Sequence, residues 1–231
     1  LGEAIEKPAL AGEVEDYAIF HIEASSAPNS PFLWTAFEHE LAQILRCERA
    51  PLSEQEIRDA MTYRLSFSPE DLAVIDWNAA FLFGSDMEDV RAVIEFANVE
   101  LLEMRLLDRQ LDLALDQAYE ALAKTPWSRL PLPRSLETSS TRIAEMQVDS
   151  AILFERVTNT LKLLGDQYLA RLYRMISQRF HLEDWDASII RKLQTLDSIY
   201  GKMTDRAANR RMELLEWIIV VLIAISIVIS F

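Results

Sequence analysis

The feature that most constrains this chain is its uncharged C-terminal run. Trp217–Phe231 reads WIIVVLIAISIVISF, 15 residues without a charge, and Leu214 and Leu215 extend the apolar stretch toward the N-terminus. Counted from Leu214, the 18 residues would form a helix of about 27 Å, close to the ~30 Å hydrocarbon core of a bilayer. Residues 214–231 therefore predict a transmembrane anchor at the end of the chain, with a buried core helix as the alternative.

The predicted anchor and its flank define two sets of candidate residues. The lipid-facing set is Leu214, Leu215, Trp217, Ile218, Ile219, Val220, Leu222 and Ile223. The charged set beside the membrane surface is Arg206, Arg210, Arg211, Glu213 and Glu216. Because the basic residues precede the span and none follows it, the positive-inside rule keeps the rest of the chain on the cytoplasmic side. We expect a bacterial inner-membrane protein, or a matrix-facing mitochondrial one, with the lipid bilayer as its first partner.

Charge divides the chain into two unlike halves. The 231 residues contain 23 basic and 37 acidic side chains, for a formal net charge of −14. Residues 1–124 hold 9 basic and 25 acidic residues, net −16, whereas the remainder holds 14 and 12, net +2. An acidic surface repels phosphate, so direct nucleic-acid binding is not expected. The acidic half favours a basic protein partner or the basic half of its own chain, with simple solubility as the alternative.

The composition favours long helices after a small α/β region. Only 5 glycines are present, which disfavours a turn-rich sandwich or barrel. β-Branched and aromatic residues predict strands at Tyr17–Ile22, Tyr63–Phe67 and Leu72–Phe83, the last split near Asn78 by a turn signal, and helices at Phe32–Cys47 and Glu54–Met61. We therefore predict an α+β protein with a small α/β domain over residues 1–84.

Two capping boxes predict helix starts. In each, a serine and a glutamate three residues later can satisfy each other's backbone N–H groups. Ser53 with Glu56 opens the second helix of the α/β domain, and Ser85 with Glu88 opens the first long helix.

Residues 85–213 predict long, coiled-coil-like helices in a bundle or hairpin. The first carries apolar residues spaced by threes and fours, and Pro126, Pro131 and Pro133 place a break over 125–134. A second apolar face runs from Phe154 to Met175, and the acidic stretch 181–186 suits the start of a last helix. That helix carries a heptad seam of Ile189, Leu193, Leu196, Tyr200 and Met203.

The helix seams need a covering surface. They pack on each other within the chain, or against copies of the chain, and we expect both, so a homo-oligomer is predicted. Asp108 interrupts the apolar stripe of the first long helix. A lone buried carboxylate costs several kcal/mol, so Arg105, Arg109 or a basic residue of another helix should pair with it, or the stripe turns outward there.

Candidate catalytic and metal-binding residues are few. In the run Phe37–Glu40 neighbouring side chains diverge on a helix, so a solvated face is favoured over a metal site. His181 and the acidic residues after it favour helix capping over cation binding. His21 favours a surface role, and Cys47, the single cysteine, a structural thiol. No phosphate loop, nucleophile elbow or zinc motif is present, so we expect no enzyme and no cofactor or metal.

The C-terminal third resembles the Required for Meiotic nuclear Division family. The residues that carry the resemblance are the heptad helix, the entry sequence Arg210–Ile219 (RRMELLEWII) and the single span, and the match is best over residues 85–231. The usual Tyr-Gly strand of that family is missing. The resemblance implies an α/β N-terminal domain, long helices, one C-terminal membrane helix and an oligomeric factor without established enzymatic activity.

The predicted function is that of a membrane-anchored, oligomeric helical scaffold whose cytoplasmic α/β domain binds another macromolecule. The same layout resembles CorA-type divalent-cation channels, which supply the alternative of a cation channel or sensor. The chain departs from that family because it has no second span and no Gly-Met-Asn loop. Ser226 and Ser230 are the polar groups that the predicted span would offer to a pore.

Overall fold

A computed structural model describes residues 14, 16–23, 36–124, 143–148, 150–152, 155 and 167–230. Side chains are described for these residues except 206, 207, 210, 211 and 227–230. The predicted break at 125–134 and most of the apolar face from Phe154 onward lie outside the described residues.

The described elements follow one another as strands and short helices, then long helices. In chain order they are β1 (Ala18–Ile22), α1 (Glu38–Leu45), α2 (Glu54–Ala60), β2 (Arg64–Leu65), β3 (Leu72–Ile75), β4 (Ala79–Phe83), α3 (Glu88–Lys124), α4 (Gln167–Arg179) and α5 (Leu182–Ser230). The predicted strands and helices of the α/β region are confirmed with shifted bounds, and residues 32–35 of the first predicted helix lie outside the described residues. The predicted mostly helical character is confirmed as well.

The strands form a four-stranded sheet in the order β1-β4-β3-β2, in which β1 runs parallel to β4 and the other pairs are antiparallel. The predicted split near Asn78 is the β3–β4 turn, closed by a hydrogen bond from the Asp76 N–H to the Ala79 carbonyl at 2.9 Å. One face of the sheet packs on α1. The hydrophobic core between them consists of Leu41, Leu45, Met61, Leu72, Val74, Ala79 and Phe81. β1 lies at one edge of this sheet.

The two capping boxes have different outcomes. Ser53 caps α2, because its hydroxyl accepts a hydrogen bond from the Glu56 N–H at 3.3 Å. The second box is wrong: α3 begins at Glu88, so Ser85 lies three residues outside the helix and cannot cap its first turn. α3 ends at Lys124, just before the first of the predicted helix-stopping prolines.

The predicted transmembrane helix is contradicted. Among the residues that the structure describes, no helix is both long enough and apolar enough to cross a membrane. This finding contradicts three predictions: the transmembrane part of the fold, the tail anchor and the inner-membrane localisation.

The chain divides into two compact units. The first comprises Leu1–Leu106 and Arg156–Asp186, and the second comprises Leu107–Glu155 and Ala187–Phe231. The first unit contains the sheet, α1, α2, the first half of α3 and all of α4. The second contains the rest of α3 and most of α5.

Asp108 finds its partner in the second unit, on α5. The Lys192 ammonium lies 2.8 Å from the Asp108 carboxylate and 2.6 Å from that of Asp112, and the Ser188 hydroxyl donates to Asp108 at 3.3 Å. Burial lowers the pKa of Lys192, but its hydrogen bonds to the two carboxylates outweigh this effect and leave the pKa raised. The predicted pairing of Asp108 with a basic residue of another helix is confirmed.

Replacing Lys192 should destabilise the second unit. Lys192→Met leaves Asp108 largely buried without its cation, and we expect the free energy of unfolding to fall by about 2 kcal/mol. Lys202 is an exposed lysine of the same helix, and Lys202→Met should change the free energy of unfolding by less than about 0.5 kcal/mol. Urea denaturation measures both. Equal losses in the two variants would contradict the assignment.

Candidate functional site

A buried carboxylate organises the first unit. Asp76 lies in the β3–β4 turn and its side chain is fully buried. Arg179, the last residue of α4, donates from Nε to Asp76 Oδ1 at 2.9 Å and reaches the same oxygen with Nη2. Arg46, just after α1, places Nε 2.9 Å from Oδ2, an ion contact that lacks the alignment of a hydrogen bond. Each oxygen of Asp76 therefore faces one guanidinium.

A second carboxylate joins the same two arginines. Asp59 of α2 accepts a hydrogen bond from Arg179 Nη2 at 3.1 Å and also contacts Arg46. Burial raises the pKa of Asp59, but the neighbouring guanidiniums, Arg179 first, hold it below its usual range. Burial lowers the pKa of Arg179, and Asp76 and then Asp59 outweigh that effect and raise it. We call Asp59, Asp76, Arg46 and Arg179 the Asp76 cluster.

Aromatic residues lie beside the Asp76 cluster. The Arg179 guanidinium lies over the ring of Tyr63, 5.2 Å from its centroid. The Tyr17 hydroxyl donates to the Asp76 carbonyl at 3.0 Å, and burial, followed by the charge of Asp76, raises its pKa. Trp77 stacks on Phe180 with ring centroids 6.0 Å apart. The charges of the Asp76 cluster are thus paired with each other beside aromatic rings, an arrangement suited to fixing chain segments.

Removing one arginine of the cluster should unfold the first unit more readily. Arg179→Met leaves the buried Asp76 Oδ1 without its guanidinium, although Arg46 still faces Oδ2, and we expect a loss of about 3 kcal/mol in the free energy of unfolding. Arg91→Met is the matched control, since Arg91 forms exposed ion pairs with Glu88 and Glu95, and should cost at most about 1 kcal/mol. Chemical denaturation gives both values. A loss below that of the control would refute the role given to Arg179.

A second buried carboxylate lies between α3 and α4. Glu100 is 4% exposed and accepts a hydrogen bond from the Tyr173 hydroxyl at 2.6 Å. Burial raises its pKa to about 7; the Tyr173 hydrogen bond lowers it in part, and the charges of Glu103 and Asp186 raise it further. The pKa of Asp186 is itself raised, first by burial and then by Glu183. The first unit therefore contains an acidic group poised near neutral pH.

The stability of the first unit should fall as the pH rises from about 4.5 to 7. In this window the unfolded chain has lost the Glu100 proton, while the folded chain retains it because its pKa is about 7. Over this interval the free energy of unfolding should fall by about 3 kcal/mol, because unfolding releases the proton that the folded chain holds on Glu100. Glu100→Gln should remove this slope and be more stable than the parent above pH 7, whereas exposed Glu95→Gln should keep it. Urea unfolding at pH 4.5, 6 and 8 measures the slope; an unchanged slope in Glu100→Gln would contradict the prediction.

Of the histidines and the cysteine singled out in the sequence, His21 and Cys47 are exposed and line the same groove beside β1, and His39 and His181 are not part of its lining. Glu38 faces Arg64 at 3.6 Å and His39 faces Glu54 at 3.8 Å, so the adjacent side chains diverge as predicted. His181 Nδ1 lies 3.2 Å from Asp184 in the first turn of α5. Within the described part of the chain, no group of three histidine, cysteine or acidic side chains is arranged to hold a metal ion.

The predicted helix seam is covered within one chain. Ile189, Leu193, Leu196 and Met203 are buried and Tyr200 is half-buried. A contact of this seam with a second copy stays a prediction. Because these side chains are buried within one chain, burial of the seam does not require a second copy.

The C-terminal candidate residues are exposed instead. The large apolar side chains of the apolar segment, which we define as Met212–Ile225, are 48–69% exposed. Glu213 and Glu216 are exposed too. The side chains of Arg206, Arg210 and Arg211 are outside those described. This apolar segment is the candidate interaction site.

Comparisons with known proteins identify a related but uncharacterised protein. Residues 1–89 match the family model described as the N-terminal domain of the uncharacterized protein MJ0711. Over 219 residues, 94% of this chain, the sequence is 24% identical to the uncharacterized protein MJ0711 of Methanocaldococcus jannaschii. The chain spans 66% of that protein's length. No solved structure matches the chain. Neither description names an activity, and the resemblance to the Required for Meiotic nuclear Division family stays a prediction.

Proposed function

We propose that this protein is a homo-oligomeric helical interaction protein without catalytic activity. In this proposal the apolar segment of α5 joins copies of the chain, and the acidic N-terminal region binds a protein partner. The observation that carries the proposal is the exposure of the apolar segment, whose large side chains from Met212 to Ile225 are 48–69% exposed.

An apolar surface of this kind requires a covering partner. Contiguous exposed apolar patches beyond a few hundred Å² are uncommon on monomers and mark interaction sites. Ile218, Ile219 and Val220 are each more than half exposed, and at 3.6 residues per turn they point in three different directions around the helix. One neighbouring helix covers a single stripe, so several helices are needed to bury the whole circumference.

Copies of the same segment supply those helices. Identical apolar helices are mutually compatible in a symmetric assembly, which is the commonest form of soluble oligomer. Upstream, α5 already buries Ile189 and Leu196 within its own chain, so the surface left for assembly begins beyond Met203. The channel alternative requires a membrane-crossing helix, which the described residues lack, and it is not carried forward.

The mass of the full chain tests this proposal. Light scattering in aqueous buffer and in a non-ionic detergent should give the same discrete oligomer. Ile219→Glu combined with Leu222→Glu should reduce it to the mass of one chain, because burying both charges costs several kcal/mol per copy. The control is Val99→Glu combined with Leu113→Glu, two comparably exposed residues of α3, which should leave the oligomer intact.

Two results would overturn the proposal. One is a monomer in aqueous buffer. The other is a single chain per detergent micelle or lipid vesicle, because the segment would then be covered by amphiphile rather than by other copies.

A further inference from the structure

An apolar groove lies beside the sheet, between β1 and α1. It encloses about 730 Å³. Its apolar lining includes Phe20, Ile22, Phe81 and Ile44. Phe20, Ile22 and Ile44 are each 40–41% exposed, so the groove opens to solvent and displays large side chains from both the strand and the helix.

The strand that borders this groove has an open edge. β1 is the outer strand of the sheet, and none of the described residues pairs with its outer side. Ala18 and Ile22 direct backbone groups inward, because the Ala18 N–H donates to Asn78 and the Ile22 carbonyl accepts from Gly84. In a parallel pair the alternate residues face the other way. The backbone N–H and C=O groups of Ile19 and His21 therefore point to the open edge.

The charges around the groove favour a basic ligand. Two acidic residues, Glu40 and Glu48, line the groove, and one cation, Arg49, lines it too. Hydrogen bonds from the Ala50 and Arg49 N–H groups lower the pKa of Glu48 and keep it ionised. Residues 1–124, which include the whole groove, carry a net charge of −16. Positive charge on a ligand is therefore attracted both locally and by the surrounding chain.

We propose that the groove between β1 and α1 binds an extended, basic segment of another protein, which adds to β1 as a fifth strand. Its backbone pairs with Ile19 and His21. Its alternate side chains lie about 6.6 Å apart, and the apolar ones enter the groove against Phe20, Ile22 and Ile44 while lysine or arginine lies near Glu40 and Glu48. Strand addition beside a side-chain pocket is an established mode of peptide recognition. The inference rests on the proposed role as an interaction protein, and it specifies the partner as an extended, basic protein segment.

Fluorescence anisotropy of the full chain with a labelled nine-residue lysine–valine peptide tests the proposal. Lysine and valine take turns at its even positions and threonine fills the odd ones, so that lysine and valine share the face that meets the groove. We expect saturable binding. The same peptide with glutamate in place of lysine should bind at least about tenfold more weakly. The lysine–valine peptide methylated on every second backbone nitrogen should lose about as much, because it keeps its side chains but cannot complete the strand pairing.

A matched pair of variants locates the binding surface. Ile44→Lys adds a positive charge to the groove and removes an apolar contact, so it should weaken binding of the lysine–valine peptide by about tenfold. Val99→Lys, at an exposed valine of α3, should change binding by less than about twofold. Peptide addition should also shift the backbone amide resonances of Ile19 and His21 in the parent protein.

Three results would overturn the proposal: equal binding of the methylated peptide, unchanged binding by Ile44→Lys, or cross-links that join β1 of two copies and block the peptide. The Ile219→Glu, Leu222→Glu double variant separates this proposal from oligomerisation. If it is monomeric and still binds the peptide, both proposals stand. If the parent protein is monomeric yet binds the peptide, only oligomerisation fails.

Discussion

A carboxyl group removed from water must either meet positive charge within its own fold or keep its proton, and Asp76 meets positive charge in two arginines. Arg46 follows α1 and Arg179 ends α4, while Asp59 of α2 binds both guanidiniums. The sheet, both short helices and a distant helix end are thereby fixed to one another. Buried ion pairs often add little net stability, because desolvation offsets their attraction, but their geometry tolerates few alternatives. The Asp76 cluster therefore specifies how these segments meet more than it strengthens them.

Local patterns were sufficient to predict most of the α/β region. The Asp-Trp-Asn turn, the alternation of apolar residues and the cap at Ser53 all depend on residues a few positions apart, and the structure places strands and helices there. Asp108 was also predictable, since a carboxylate on an apolar stripe requires a cation even when the donor's identity is unknown. The same pattern, an acidic residue on an apolar helix face, occurs at Glu100 between Ala97 and Met104 and would have indicated the second buried carboxyl group, which is satisfied by the Tyr173 hydroxyl and not by a cation.

Other features could not be read from neighbouring residues. Asp76 and Arg179 are 103 residues apart, and nothing near either one identifies the other. The serine at position 85 matched a capping box, yet the helix begins only at Glu88, so a short motif was overridden by the turn that follows β4. The C-terminal run was interpreted from its length and composition as a membrane span, whereas no helix among the described residues is long enough and apolar enough to cross a membrane. Its large apolar side chains from Met212 to Ile225 are exposed instead, and we propose copies of the chain as their partner.

The buried Glu100 also makes folding a reaction with solvent protons. Near pH 6 an ordinary glutamate in the unfolded chain is ionised, whereas the folded form, with a pKa of about 7, holds its proton. Folding of the first unit thus takes up close to one proton from the buffer through this side chain. The calorimetric enthalpy of unfolding at that pH will consequently include the heat of protonating the buffer, and it will differ between buffers of different ionisation enthalpy even when the stability is the same.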